Sequence, residues 1–371
     1  MSAATLETHG ASMLGLHAVD WATIAISFAA TLVGTLALRR WLIAASMMDI
    51  PNERSSHATP VPRGGGVVFV VAILAVIAIS VVRGALPASD LAAAAGILAV
   101  AAIGFLDDRR SVGAAPRLAV HMTGSAAAIW AATQGLRADG ALSIPPDAAG
   151  IAAYWPVGIV LVLALASAWC VNLVNFMDGI DGMAAFGGAL VLASAAGIAL
   201  LSQSSAPTGL AAATLAIAAA VAGFGLVNMS RWRIFMGDAG SGALGLAIAW
   251  SLASLAAQDA LDPLAAIALP AVLVADATTT LAVRVVRGEH PARAHRTHAY
   301  QRLVRSGWTH RSVTAVFAAA QLVLATPVAW HAQRGGADAL PSVVALYAVL
   351  VGLALLLGAG REPAEQPNGA A

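Results

Sequence analysis

Apolar residues gather along the chain into eleven runs of helical length, at about 20–38, 65–82, 91–106, 117–134, 155–173, 183–201, 208–227, 240–257, 263–283, 313–330 and 341–358. A membrane-crossing helix takes about 20 apolar residues. The pattern therefore predicts an all-α, polytopic membrane bundle of about eleven transmembrane helices. Several runs are rich in Ala and Gly, which lets helix backbones approach closely in lipid. Polar residues fall between the runs. The expected organisation is a tail at 1–18, an integral membrane domain at 19–358 and a short disordered tail at 359–371. No fixed-period repeat is visible, so an inverted-repeat transporter gains no support.

Composition changes the picture in one respect. Of 371 residues, 59% are hydrophobic and 11% charged, with a mean hydropathy of +0.81. A soluble domain is typically about half apolar and a quarter charged, so a water-soluble enzyme is excluded, and no nucleic-acid partner is expected. The single Cys170 lies inside an apolar run, which leaves no intrachain disulfide and no Cys-based metal site.

Charge sets the expected orientation. All 20 basic residues are Arg; with the N-terminus outside, 17 fall on inner segments and only Arg83, Arg137 and Arg334 outside. By the positive-inside rule the C-terminus is then cytoplasmic. The N-terminal tail holds Glu7 but no Arg before the first run, unlike a signal peptide, so that run is expected to be retained. The outer connections read as plain turns, and every chemical motif falls on the inner side.

The third run ends Gly104-Phe105-Leu106-Asp107-Asp108-Arg109-Arg110. Two carboxylates at a helix C-terminus oppose its dipole and repel each other, so the pair points to cation binding or a raised pKa. The fifth runs into Asn172-Leu173-Val174-Asn175-Phe176-Met177-Asp178-Gly179-Ile180-Asp181-Gly182. Its two Asp-Gly pairs read either as a turn between two helices or, continued as helix, as Asp178 and Asp181 on one face. Its four oxygen-bearing side chains at a membrane edge suit Mg²⁺, a nucleotide or a sugar. The eighth opens Ile234-Phe235-Met236-Gly237-Asp238-Ala239-Gly240-Ser241-Gly242. A helix N-terminus with Gly-flanked amides is an anion site, where Asp238 could hold a metal or simply cap the helix. Phe235 would stack on a base or anchor at the interface.

The longest inner loop, 284–312, carries His295, Arg296, His298 and Arg302. His and Arg at this spacing suit a pyrophosphate held by charge-assisted hydrogen bonds. Asp276, near the inner end of the ninth run, is either functional or paired with Arg284. The first inner loop, Pro51-Asn52-Glu53-Arg54-Ser55-Ser56-His57 through Pro62-Arg63-Gly64-Gly65-Gly66, reads as an irregular loop whose Gly amides could face an anion.

These motifs, in this order from about residue 51 to 303, resemble those of the polyprenyl-phosphate N-acetylhexosamine-1-phosphate transferases. The resemblance implies transfer of a sugar-1-phosphate from a UDP-N-acetylhexosamine to undecaprenyl phosphate, releasing UMP, at the cytoplasmic face of a bacterial inner membrane. It implies a Mg²⁺ cofactor held by Asp238 with Asp178, and a catalytic set of Asp107, Asp108, Asp178 and Asp181. Asp107 would deprotonate or position the lipid phosphate, with Asp108 assisting. Asn172, Asn175, Phe235, His295, Arg296, His298, Arg302 and Arg63 would bind substrate, with Phe235 stacking on uracil. The family includes dimers, so a homodimer is one expectation. Many members carry consecutive histidines in the last loop, where this chain reads His298-Ala299-Tyr300-Gln301. That form is nearer the O-antigen-initiating branch than the peptidoglycan phospho-N-acetylmuramoyl-pentapeptide transferase. The alternative from another class is a transporter or flippase, whose carboxylates should lie near the bilayer midplane.

Overall fold

The computed structural model describes residues 16–46, 48–50, 59–134, 155–202, 208–290 and 295–361. The bulk of both expected tails, the 51–58 part of the first inner loop, the outer connections 135–154 and 203–207, and 291–294 of the His/Arg loop lie outside the described residues.

Each expected apolar run coincides with helix. In chain order these are α1 (Ala18–Ala44), α2 (Gly66–Val82), α3 (Asp90–Arg109), α4 (Ala114–Ala132), α5 (Trp155–Met177), α6 (Met183–Leu201), α7 (Thr208–Asn228) and α8 (Gly237–Ala257). The rest of the chain forms α9 (Pro263–Ala268), α10 (Ala271–Val286), the short α11 (Ala299–Arg305), α12 (His310–Ala320), α13 (Thr326–Gly335) and α14 (Leu340–Leu356). Among the described residues seven helices are long and apolar enough to cross a membrane, the last taken as one run over His310–Leu356, and Gly66–Val82 is a shorter apolar helix. The chain is a polytopic helical membrane protein.

Two expected runs are broken, each at a proline. The run 263–283 divides into α9 and α10 at Leu269-Pro270, because proline lacks the amide that would continue the ladder. Between α12 and α13 the helix loosens into a π turn over Gln321–Ala325. Pro327 follows and cannot donate to a carbonyl one turn back, the usual setting for such a bulge.

α8 is the central helix: 83% of its apolar window is buried, against 17% for the peripheral α1. It lies against α2, α3, α4, α5 and α6. Glycines allow this crowding. A Cβ on Gly66 would stand 2.5 Å from the Cα of Gly240, and one on Gly104 would collide with the Asp238 carbonyl. At one end of the bundle Arg83 pairs with Asp20 at 3.1 Å, joining the end of α2 to the start of α1. The end of α3, the start of α4 and the start of α8 meet at the opposite end. There a two-residue antiparallel pair, β1 (Met48–Asp49) with β2 (Val61–Pro62), closes the chain over the helix ends.

Candidate active site

The backbone brings Arg63 beside Phe235 before any side chain does so. The Phe235 amide donates to the Pro62 carbonyl at 2.8 Å, and the Phe235 carbonyl accepts from Gly64 at 3.1 Å and Gly65 at 2.8 Å. This short parallel bridge fixes the PRGGG segment along the approach to α8. Phe235 is half-buried there.

Gly237 takes φ +77, which favours glycine, and the chain then enters α8 with its first amides exposed. Asp108 occupies them: its Oδ1 accepts from the Asp238 amide at 3.0 Å and its Oδ2 from the Ala239 amide at 3.3 Å. The anion site expected at this helix N-terminus is therefore filled by the protein's own carboxylate. Asp238 is left in the first turn, facing outward from that cap.

Two guanidinium groups bind the carboxylates together. Arg63 Nη2 lies 2.8 Å from Asp108 Oδ1 and 3.2 Å from Asp238 Oδ1. Arg117 pairs with Asp107 and stands 3.6 Å from Asp238 Oδ2. Asp107 also accepts from the Val112 amide at 2.7 Å, which folds the α3–α4 connection back over it. Burial works to lower the Arg63 pKa, but Asp108 and Asp238 outweigh it and raise it, so Arg63 stays charged.

Asp178 and Asp181 do not share a helix face. α5 ends at Met177, and Gly182 takes φ +83, so residues 178–182 form a turn rather than a continued helix face. Burial, then Asp238, drives the Asp178 pKa well above the usual carboxylate range; Asp108 and Asp181 add to this and Arg63 opposes it. Asp178 thus belongs electrostatically with Asp108 and Asp238. Asp181 turns instead to Arg233 at 3.3 Å and His310 Nδ1 at 3.1 Å, and its carbonyl accepts from Thr314 Oγ1 at 3.0 Å. Asn228 staples the turn, accepting from the Gly182 amide at 2.5 Å and donating to the Ile234 carbonyl at 2.9 Å.

The two asparagines tie helices together. Asn175 Oδ1 accepts from Ser241 Oγ at 2.9 Å, joining α5 to α8. Asn172 donates to the Ala168 carbonyl one turn back at 2.8 Å and hydrogen-bonds His121 on α4.

The His/Arg strip divides. His295 and His298 stack at 5.0 Å, with Phe176 6.0 Å from His298, which sets both imidazoles beside the end of α5. His298 is buried. For Arg296, burial and the nearby Arg305 pull its pKa below the ordinary value. Arg302 points elsewhere: Nε donates to the Leu357 carbonyl at 2.7 Å and Nη1 to the Arg361 carbonyl at 2.6 Å, tying down the end of α14. The expected Asp276–Arg284 alternative is corrected, because Arg284 pairs with Glu289 at 2.7 Å and Asp276 caps α11.

The structure thus brings together Arg63, Asp107, Asp108, Asp178 and Asp238, with Phe235 alongside. It adds Arg117, Arg233 and His310, which sequence reading had counted only for charge or passed over. Among the described residues no three His, Cys, Asp or Glu side chains form a ready ion cage. Mg²⁺ does not require one: it is ordinarily held by one or two carboxylates, with waters and substrate phosphate completing an octahedron. Oxygen donors of this kind, Asp108 and Asp238 close together with Asp107 beside them, suit such a hard cation.

Residues 91–256 match the family model described as Glycosyl transferase family 4, a stretch holding all the site carboxylates. The chain is 30% identical over 325 residues to the decaprenyl-phosphate N-acetylglucosaminephosphotransferase of Mycobacterium leprae (strain TN), covering 79% of this chain and 77% of that protein. It is 25% identical to the probable undecaprenyl-phosphate N-acetylglucosaminyl 1-phosphate transferase of Bacillus subtilis (strain 168), over 82% and 85% of the two chains. It is 28% identical to the undecaprenyl-phosphate alpha-N-acetylglucosaminyl 1-phosphate transferase of Yersinia pestis, over 77% of each.

Proposed function

The chain belongs to the polyprenyl-phosphate hexosamine-1-phosphate transferases of glycosyl transferase family 4, and on that premise we propose that it moves an N-acetylhexosamine-1-phosphate from a UDP-sugar to undecaprenyl phosphate. The donor is UDP-N-acetylglucosamine, UDP-N-acetylfucosamine or a similar sugar nucleotide. The observation that carries this reading is the meeting of Asp107, Asp108 and Asp238 with Arg63 and Arg117 at one end of a membrane bundle.

In the proposed reaction an oxygen of the lipid phosphate attacks the phosphorus that bears the sugar. The bridging bond from that phosphorus to the uridine phosphate breaks, its electron pair leaves with UMP, and a polyprenyl-pyrophosphate sugar results. The nucleophile is already anionic, so the chain must supply alignment and charge neutralisation more than a strong base. Arg63 and Arg117 are preorganised cations for that task. Asp107, fixed by Arg117 and the Val112 amide, positions the lipid phosphate. Phe235 offers a face for uracil, and His295, Arg296 and His298 a polar strip for the pyrophosphate. Asp178 and Asp238 would hold Mg²⁺, which when bound neutralises phosphate charge.

In this reading the chain crosses a bacterial inner membrane eleven times, N-terminus outside, with the carboxylates on the cytoplasmic side, and it begins O-antigen or another cell-envelope polysaccharide. The relatives' named substrates and the Arg distribution support it. The test is purified protein with undecaprenyl phosphate, Mg²⁺ and a panel of UDP-N-acetylhexosamines. UMP release with at least one donor is expected; folded protein that is silent with every donor would overturn the reading. Single cysteines placed in the His/Arg loop should label only from the cytoplasmic side.

A further inference from the structure

Asp276 sits on α10, only 3% exposed, and its carboxylate is committed to the start of α11. Oδ1 accepts from the Ala299 amide at 2.8 Å and from Thr280 Oγ1 at 3.2 Å, and Oδ2 accepts from the Tyr300 amide at 3.1 Å. An anion on free N-terminal amides satisfies them and complements the positive end of the helix dipole, so α11 is held to α10 at its first turn. The side chain of Tyr300 then reaches the other way. It is fully buried, stacks on His298 at 5.7 Å, and its hydroxyl donates to the Phe176 carbonyl at 2.8 Å.

That carbonyl is among the last of α5, which have no partner within the helix, and it lies two residues before Asp178. The approach depends on Gly179, since a Cβ there would collide with the Tyr300 hydroxyl. Burial first, then Asp276 and Asp178, raise the Tyr300 pKa well above its ordinary value, so the hydroxyl remains a donor. Hydrogen bonds thus link Asp276, through the first turn of α11 and the Tyr300 side chain, to the end of α5 two residues before Asp178, with His298 held at the cap of the same short helix.

We propose that Asp276 and Tyr300 are positioning residues for the transfer: they clamp α11 beneath the Asp178 turn and so set Asp178 and His298 relative to each other. This rests on the reaction proposed above. A second tyrosine supplies the control. Tyr347 donates its hydroxyl to the Ile267 carbonyl at 2.9 Å, the same kind of bond at the break between α9 and α10, away from any site carboxylate.

The test compares Tyr300→Phe and Tyr347→Phe with the wild type as full-length protein in lipid nanodiscs, reading UMP-release kinetics and backbone hydrogen exchange over residues 176–182. Tyr300→Phe should lower kcat by about tenfold or more, because a small misplacement of a reacting group costs heavily, while KM for the UDP-sugar moves by less than about threefold. Exchange over 176–182 should quicken. Tyr347→Phe should leave both readouts at wild-type values even if it melts earlier. A Tyr300→Phe protein with kcat within about twofold of wild type, whatever its exchange, would overturn the proposal, as would an equal kcat loss in Tyr347→Phe. If the wild type releases no UMP with any donor, the reaction reading fails by itself. The exchange comparison then still decides whether the clamp exists.

Discussion

Asp108, on the last turn of α3, caps the helix that carries Asp238, its Oδ1 3.0 Å from the Asp238 amide. One acidic residue therefore builds the platform from which another acts. The same carboxylate meets Arg63 at 2.8 Å, so two helix ends and a loop depend on a single, largely buried anion. Asp108→Asn keeps an acceptor but removes the charge that complements the positive end of the α8 dipole and pairs with Arg63. We expect a stability loss of about 1–2 kcal/mol, seen as earlier melting in detergent, together with strongly reduced UMP release. Unchanged melting would show that the cap carries no weight.

Gly104 tests the same platform from the packing side. α3 passes so close to α8 that an added Cβ would strike the Asp238 carbonyl, which is backbone and cannot swing aside. Gly104→Ala should cost about 1–3 kcal/mol through overpacking and displace the start of α8. Turnover should fall further than the melting temperature suggests. Assaying Gly104→Ala well below its melting temperature separates the two effects; full turnover there would contradict the close approach.

Arg117 joins Asp107 to Asp238 Oδ2, the latter at 3.6 Å. One nitrogen, Nη1, meets both carboxylates; a lysine keeps the charge but loses the guanidinium's rigid, planar placement of that nitrogen. Arg117→Lys should therefore lose about tenfold in kcat and Arg117→Ala about a hundredfold. Steady-state UMP release measures both. Equal, wild-type-like rates in the two variants would remove Arg117 from the site.

The helices were legible because each apolar run is long and its ends are marked by charge or by Gly and Pro. The break at Pro270 and the π turn before Pro327 were also written in the chain, but an average over an apolar window hides one missing amide. The acidic motifs stood out in the chain, since carboxylates at a helix C-terminus oppose its dipole; that Asp108 and Asp276 would cap other helices did not. Their pairing did not stand out either. Asp178 and Asp181 could be one helical face, and only Gly179 and Gly182, read as helix stops, pointed to a turn. The parallel bridge between Arg63 and Phe235 joins residues too far apart in sequence for any local signal. Arg117 was counted only as a cytoplasmic charge, and Tyr300 was noted only as part of the last-loop motif: its contact is with a carbonyl 124 residues away.

In the proposed reaction carboxylates from separate helix ends gather around the reacting phosphates, with Asp238 at their middle. The most direct test measures UMP and lipid-linked sugar formed by wild type and Asp238→Asn in the same vesicles, with melting followed in parallel. Wild type should yield the two products in equal amounts. Asp238→Asn should melt like wild type and turn over about a hundredfold to a thousandfold more slowly. Wild-type-like turnover by a folded Asp238→Asn protein would contradict the account.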